Sequence, residues 1–400
     1  MMSELFIPPR RILMGPGPSD VSPRVLGALA RPTVGHLDPS FVGLMDEVKE
    51  LLQYTFQTRN DLTFPVSAPG SAGMETCFVN LLEPGDTAIV CRNGVFGDRM
   101  KANVERCGAT AVVVDDEWGR PVDPGKVAAA IREHPRARLV AFVHAETSTG
   151  ARSDAAELCR LARDAGMLSV VDTVTSLGGI EVAVDAWGAD AVYSGTQKCL
   201  SCVPGLSPVT FSERAAEVVR NRRHPVQSWF LDLNLVLGYW GGDSKRTYHH
   251  TAPVNSIYAL HEALLMLHEE GLRNAWERHR LHHRALAAGL EALGLSFVVP
   301  EGWRLPQLNT VTIPDGVDDA VIRGRLLGDF GLEIGAGLGA FAGRAWRIGL
   351  LGQSACRGNV MHCLNALQSL LTTEGSRAAT DAAATVYEER ERRPRRTASR

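Results

Sequence analysis

The stretch LSVVDTVTSLGGIEVAVDAWGADAVYSGTQKCL, residues 168–200, decides the fold. It opens with an apolar, β-branched run ending at Asp172, and DAVYS at 190–194 repeats the pattern shortly before Lys198. Short continuous apolar runs bounded by turn residues read as strands buried on both faces, as in a parallel sheet covered by helices. In such a sheet both strand ends emerge at one carboxyl edge, where open α/β sheets bind their ligands. Asp172 and Lys198 are therefore expected to face the same cleft.

The same rhythm extends outward. AIVCR at 88–92, TAVVVD at 110–115, RLVAFV at 138–143 and SPVTFS at 207–212 are further strand-like runs. Between them, DPGKVAAAIREHP and DAAELCRLARDAG begin with the cap candidates Asp123 and Asp154 and stop at Pro135 and Gly166. After Asn255 the period changes to 3.6, with Ile257, Leu260, Leu264 and Leu267 on one face of a long helical stretch. From 295 to about 371, the pieces LSFVV, NTVTI and AWRIGLL alternate with helical patterns, as in a smaller α+β unit. The expected organisation is an arm at 1–20, a large mostly parallel α/β domain at 21–268, a small C-terminal domain at 269–372 and a tail at 373–400. That tail carries seven arginines against five acidic residues and almost no large apolar side chain, so disorder is expected of it. His279, His282 and His283 lie on a charged helix and are expected to face solvent.

Composition narrows the function. With 42 Lys and Arg against 45 Asp and Glu, and no long basic patch in the body, neither nucleic acid nor a membrane surface is an expected partner. No apolar run approaches the length of a membrane span, and the N-terminus has no signal-like segment. The eight cysteines are scattered, which fits free thiols in a reducing cytoplasm and no metal site; Cys199 and Cys202 read as packing residues.

The chemistry centres on the Asp172–Lys198 pair. A lysine just past a strand end can form a Schiff base with a carbonyl, and a neighbouring carboxylate can keep a pyridine nitrogen protonated. Together they are what pyridoxal 5′-phosphate requires, although singly each residue type is commonplace at such places. The turn Pro69-Gly70-Ser71-Ala72 opens an apolar helix and offers free amides to a phosphate. Thr147 and Ser148 in HAETSTG (144–150) can donate to a ring hydroxyl, and Gly17 lies in the rigid turn GPGPS, where a backbone can approach a ligand closely. Arg347 lies in an apolar strand and needs a partner, either a substrate α-carboxylate or a structural acid.

In these residues the sequence resembles the class V, fold type I pyridoxal-phosphate aminotransferases, most closely the alanine-glyoxylate and serine-glyoxylate aminotransferases. The segments that carry the resemblance, in order, are LMGPGPS, FQTRNDLTF, VNLLEPGD, NGVFGDR, HAETSTG, VDTVTSLGG, YSGTQKCL, PGLSPVTFS, YHHTAPV and WRIGLLG, spanning about residues 10–371. The resemblance implies that Lys198 is the Schiff-base lysine and Asp172 the pyridinium partner. It implies that Gly70 and Ser71, with Thr196 and Gln197 beside them, hold the phosphate. Phe96 would stack on the ring, Thr147 would bind its hydroxyl and Arg347 would clamp the carboxylate. It further implies a homodimer in which Tyr248 and Thr251 complete the phosphate site of the second subunit. The implied activity is ping-pong transamination of alanine or serine with glyoxylate or a similar keto acid. Ureidoglycine is an alternative donor. A cysteine desulfurase or lyase is a weaker alternative, because the loop IGAGLGAFAGRAW contains no cysteine. A dinucleotide site fails at Ala340, where the third glycine of that motif belongs.

Overall fold

The computed structural model describes residues 5–241, 246–372 and 376–392. Strands β1 (Leu62–Val66), β2 (Thr87–Arg92), β3 (Thr110–Asp115), β4 (Leu139–Val143), β5 (Leu168–Asp172), β6 (Ala191–Tyr193) and β7 (Ser207–Phe211) form one sheet, ordered β1-β7-β6-β5-β4-β2-β3. Only β7 runs against its neighbours. The six runs read from the sequence are all strands. β1 escaped that reading because Pro65 interrupts its pattern; the strand lies at the sheet edge, where a proline is tolerated.

Helices cover both faces of the sheet, and the caps work as the sequence suggests. Asp123 accepts from the Gly125 amide at 2.7 Å, and Asp154 from the Glu157 amide at 3.1 Å. Helix α1 (Gly70–Leu81) follows β1, and the long helix α2 (Val254–Glu270) buries Ile257, Leu260, Leu264 and Leu267. Gly271, at φ +81°, turns the chain from α2 into α3 (Leu272–Ala292). A second apolar core gathers α3 and a three-stranded antiparallel sheet, β8 (Leu308–Thr312), β9 (Gly335–Ala336) and β10 (Ala345–Gly349), ordered β8-β10-β9, together with α4 (Arg357–Leu371). The expected strand at LSFVV reduces to one bridge between Phe297 and Val311.

Two expectations are corrected. Residues 378–392, read as part of a disordered tail, form helix α5 (Ala378–Arg392), with Ala379, Ala383 and Tyr387 buried. These positions recur every four residues, and the first two are alanines, so the buried stripe carries little of the bulk that marks a core helix. Gly289 of α3 lets the backbones approach: a Cβ there would stand 2.9 Å from the Ala379 carbonyl oxygen. The remainder of that tail, 373–375 and 393–400, lies outside the described residues, as do residues 1–4 of the arm. The histidines are corrected as well. His279 is fully buried, with Nδ1 donating to the Ala275 carbonyl at 2.6 Å and Nε2 accepting from the Gly352 amide at 3.0 Å. His282 is buried 2.9 Å from the Tyr387 hydroxyl, and His283 bonds Asn309 at 2.6 Å. Helix polarity hid this, because buried imidazoles with satisfied nitrogens cost little. Removing the Tyr387 ring should therefore open a cavity between α3 and α5. Tyr387→Ala is expected to cost about 3 kcal/mol, read as a lower melting temperature or denaturant midpoint.

Candidate active site

Parallel pairing brings the chemistry to one edge. Val143 pairs with Asp172 and Asp172 with Tyr193, so β4, β5 and β6 end level with one another. The hairpin carrying Thr147 follows β4, and the loop carrying Lys198 follows β6. The N-terminal arm reaches the same edge from the other side. Ile12–Leu13 pairs with Leu332–Glu333, the Gly349 amide donates to the Met14 carbonyl at 2.7 Å, and the chain then crosses to the lysine loop. There the Ser19 hydroxyl donates to the Lys198 carbonyl at 2.7 Å and its amide to the Gln197 carbonyl at 2.9 Å.

The Lys198 side chain is buried and donates its amine hydrogen to the Pro16 carbonyl. Burial, with the positive charge of Arg347 added, lowers its pKa to about 8. Gly17 packs directly against it. At φ +112° a side chain would be strained, and a Cβ would stand 2.8 Å from the lysine Nζ. Asp172 is buried as well; burial raises its pKa to about 6, opposed by a 2.7 Å hydrogen bond from the Tyr193 hydroxyl and a 2.8 Å bond from the Val174 amide. The carboxylate is thus ionised at neutral pH and held at both oxygens.

Arg347 projects from β10 and is buried. It donates from Nε to the Ala336 carbonyl at 2.8 Å and from Nη1 to the Thr147 carbonyl at 3.2 Å. Among the described residues no carboxylate forms an ion pair with it; the acid whose charge acts on it, Glu146, makes no hydrogen bond to it. Burial depresses even this guanidinium, to about 10. A buried, unpaired guanidinium held by two carbonyls is suited to an incoming carboxylate.

The start of α1 supplies the anion cradle. Pro69 caps it without a side-chain hydrogen bond; the Ala72 amide donates to the Pro69 carbonyl at 2.7 Å, leaving the Gly70 and Ser71 amides free among the described residues, and a Cβ at Gly70 would stand 3.4 Å from the Ser194 carbonyl. Ser71 accepts from Arg99 at 3.0 Å, and the Arg99 guanidinium lies 5.0 Å from the centre of the Phe96 ring. Arg99 adds a cation that the sequence reading missed; its place one helical turn beyond Phe96 was the available signal. The Gln197 Oε1 atom is buried without a partner, as an atom awaiting a ligand hydrogen-bond donor would be. These free amides, Arg99, the low-pKa lysine and the Asp172 carboxylate fit the phosphate, aldehyde and ring nitrogen of pyridoxal phosphate.

Other expected site residues sit differently. The Thr147 hydroxyl meets that of Thr175. Thr196 turns its hydroxyl to the Val203 carbonyl at 2.7 Å and its amide to the Leu206 carbonyl at 3.3 Å, so it braces the lysine loop and offers the cleft no donor. Tyr248 is 64% exposed and Thr251 is exposed, both away from their own chain's core. Glu146, Pro16, Ser19 and Tyr193 complete the neighbourhood without having been singled out from the sequence.

Comparison with known proteins agrees with this geometry. The family model for class-V aminotransferases matches residues 22–338. Alanine–glyoxylate aminotransferase of Oryctolagus cuniculus is 40% identical over 91% of this chain and 93% of its own length. The (S)-ureidoglycine–glyoxylate transaminase of Bacillus subtilis is 37% identical over 91% of each. Among solved structures, an alanine–glyoxylate aminotransferase from Nostoc sp. superposes with a TM-score of 0.91 at 45% identity, covering 93% of this chain and 98% of that one. The Bacillus subtilis ureidoglycine–glyoxylate aminotransferase gives 0.93 at 38% identity, covering 96% and 100%. The chain belongs to the class-V aminotransferase family. It is an enzyme, a transaminase of the α/β fold described above.

Proposed function

We propose that this transaminase holds pyridoxal phosphate at Lys198 and moves the amino group of a small amino acid, alanine or serine, to glyoxylate or a similar keto acid. The observation that carries the reading is the buried Asp172–Lys198 pair at the same edge of the sheet as a buried guanidinium, Arg347, that has no ion-pair partner among the described residues. The bound cofactor supplies an electron sink when the donor's Cα–H bond breaks. The protein's own groups do the rest. Asp172 would keep the proton on the ring nitrogen, and the Gly70 and Ser71 amides with Arg99 and the Gln197 Nε2 amide would hold the phosphate. Arg347 grips the donor carboxylate, and Lys198 Nζ, poised near neutral pH by burial, takes and returns the proton. Phe96 offers a flat apolar face to the ring.

The reading extends to assembly and compartment. Tyr248 and Thr251 are exposed, and the exposed Trp229 stacks on the neighbouring His249, which supports a homodimer in which Tyr248 and Thr251 reach the partner's phosphate. All eight cysteines are free, which supports a reducing cytoplasm, and no described helix is long and apolar enough to cross a membrane. Seven of the cysteines are buried, which weighs against a nucleophilic thiol and hence against desulfurase chemistry.

The donor is tested by glycine formation from glyoxylate with alanine, serine or (S)-ureidoglycine, using protein reconstituted with pyridoxal phosphate. Turnover with alanine or serine is expected; turnover with ureidoglycine alone would select the alternative donor, and turnover with none would reject glyoxylate transamination. Arg347→Ala should raise KM for the donor by about 100-fold, because a buried charge-assisted grip on a carboxylate is lost. An unchanged KM would remove Arg347 from the substrate site.

A further inference from the structure

Glu146, on the hairpin that carries Thr147, is a buried carboxyl to which the reaction assigns no task. It is fully buried, and its Oε1 accepts from the Ser148 hydroxyl at 2.6 Å and the Ser148 amide at 3.0 Å, while Oε2 has no hydrogen-bond partner. The carboxyl lies against the start of the helix Val95–Arg106, so close that a Cβ at Gly94 would stand 2.4 Å from its carboxyl carbon. That helix has no side-chain cap of its own, since its N-cap is Gly94. The hairpin caps it instead: Ser148 Oγ accepts from the Val95 amide at 3.1 Å, and that same hydroxyl is held by Glu146 Oε1 at 2.6 Å. The helix presents Phe96 and Arg99, and the hairpin carries Thr147, whose carbonyl anchors Arg347. One carboxyl therefore joins the ring face, the phosphate cation and the carboxylate clamp.

We propose that Glu146 is a positioning residue of this active site, fixing the Ser148 cap of the helix that presents Phe96 to the cofactor ring and supplying a counter-charge to the Lys198 nitrogen. The inference rests on the reading of the cleft as a pyridoxal-phosphate site. The charged and titratable groups around the carboxyl are Asp172 at the end of β5, Lys198 on its loop, Arg347 on β10, Tyr193 on β6 and, acting through Asp172, Arg99. Burial raises the Glu146 carboxyl to about 7, so it is increasingly anionic above neutral pH. As an anion it stabilises positive charge on Lys198 and Arg347.

Two substitutions separate the charge from the reach. Glu146→Gln keeps the size and an acceptor oxygen but removes the charge. In the protein reconstituted with pyridoxal phosphate, the pH midpoint of the visible cofactor band reports the proton on the Lys198 nitrogen. That midpoint is expected to fall by about one unit in Glu146→Gln, the shift a nearby buried charge exerts. Glu146→Asp keeps the charge but withdraws it from the Ser148 hydroxyl that caps the helix; its midpoint should stay near wild type while its affinity for the cofactor falls about tenfold, as when a helix cap is lost. An unmoved midpoint in Glu146→Gln overturns the counter-charge, and unchanged cofactor affinity in Glu146→Asp overturns the capping. If Glu146→Gln does not fold, Glu146→Asp decides alone, and wild-type affinity there rejects the proposal. A wild-type protein that shows no band with added cofactor would instead refute the reading of the site.

Discussion

Lys198→Ala is expected to reduce transaminase turnover by about 10,000-fold or more, since it removes both the covalent anchor and the group that moves the Cα proton. The fold should survive, because the loop around Lys198 is held by groups the substitution leaves in place. Ser19 bonds the Lys198 and Gln197 backbones, and Thr196 bonds the Val203 carbonyl. Removing a buried amine whose pKa burial has lowered also relieves a desolvation cost, so the melting temperature should hold or rise. Near-normal steady-state turnover by the variant would refute the role of Lys198. A lost fold, seen by circular dichroism, would show that the lysine is structural first.

Asp172→Asn should lower turnover by about 1,000-fold. The amide fits the same space; its single oxygen can still accept from the Val174 amide while its NH2 donates to the Tyr193 hydroxyl oxygen, but it cannot hold a proton on a pyridine nitrogen. In the wild type the carboxylate is raised to about 6 by burial, so its anion is present above that pH and lost as pH falls through it. Turnover is therefore expected to decline on the acid side with a midpoint at or below about 6, since a protonated ring nitrogen beside the carboxylate would favour the anion, and Asp172→Asn should lack that limb. Retention of the limb in the variant would assign the titration to another group.

Much of this site is legible in the sequence because parallel strands leave a strong trace. Continuous apolar runs mark β2 to β7, and level strand ends follow from the pairing, so Asp172 and the loop of Lys198 can be placed together before any side chain is seen. Arg347 is legible for the opposite reason: a guanidinium in an apolar strand violates the local pattern. Features that depend on pairing across the chain are not legible. Tyr193 bonds Asp172 because their strands are in register, and Pro16 meets Lys198 because the arm crosses from the small sheet. Arg99 and Glu146 are charged residues in segments where charge is ordinary, and their burial or aim comes from tertiary packing alone. Helix α5 was missed because alanines at Ala379 and Ala383 achieve by close approach what larger side chains usually achieve by volume.

The most direct test of the account is the visible absorption spectrum of the protein reconstituted with pyridoxal phosphate, recorded before and after alanine or serine and again after glyoxylate. A yellow band is expected, bleached by the amino acid and restored by the keto acid, and absent in Lys198→Ala. A band that no amino donor bleaches would contradict transamination by these donors, and no band at all would contradict the assignment of Lys198 as the cofactor's anchor.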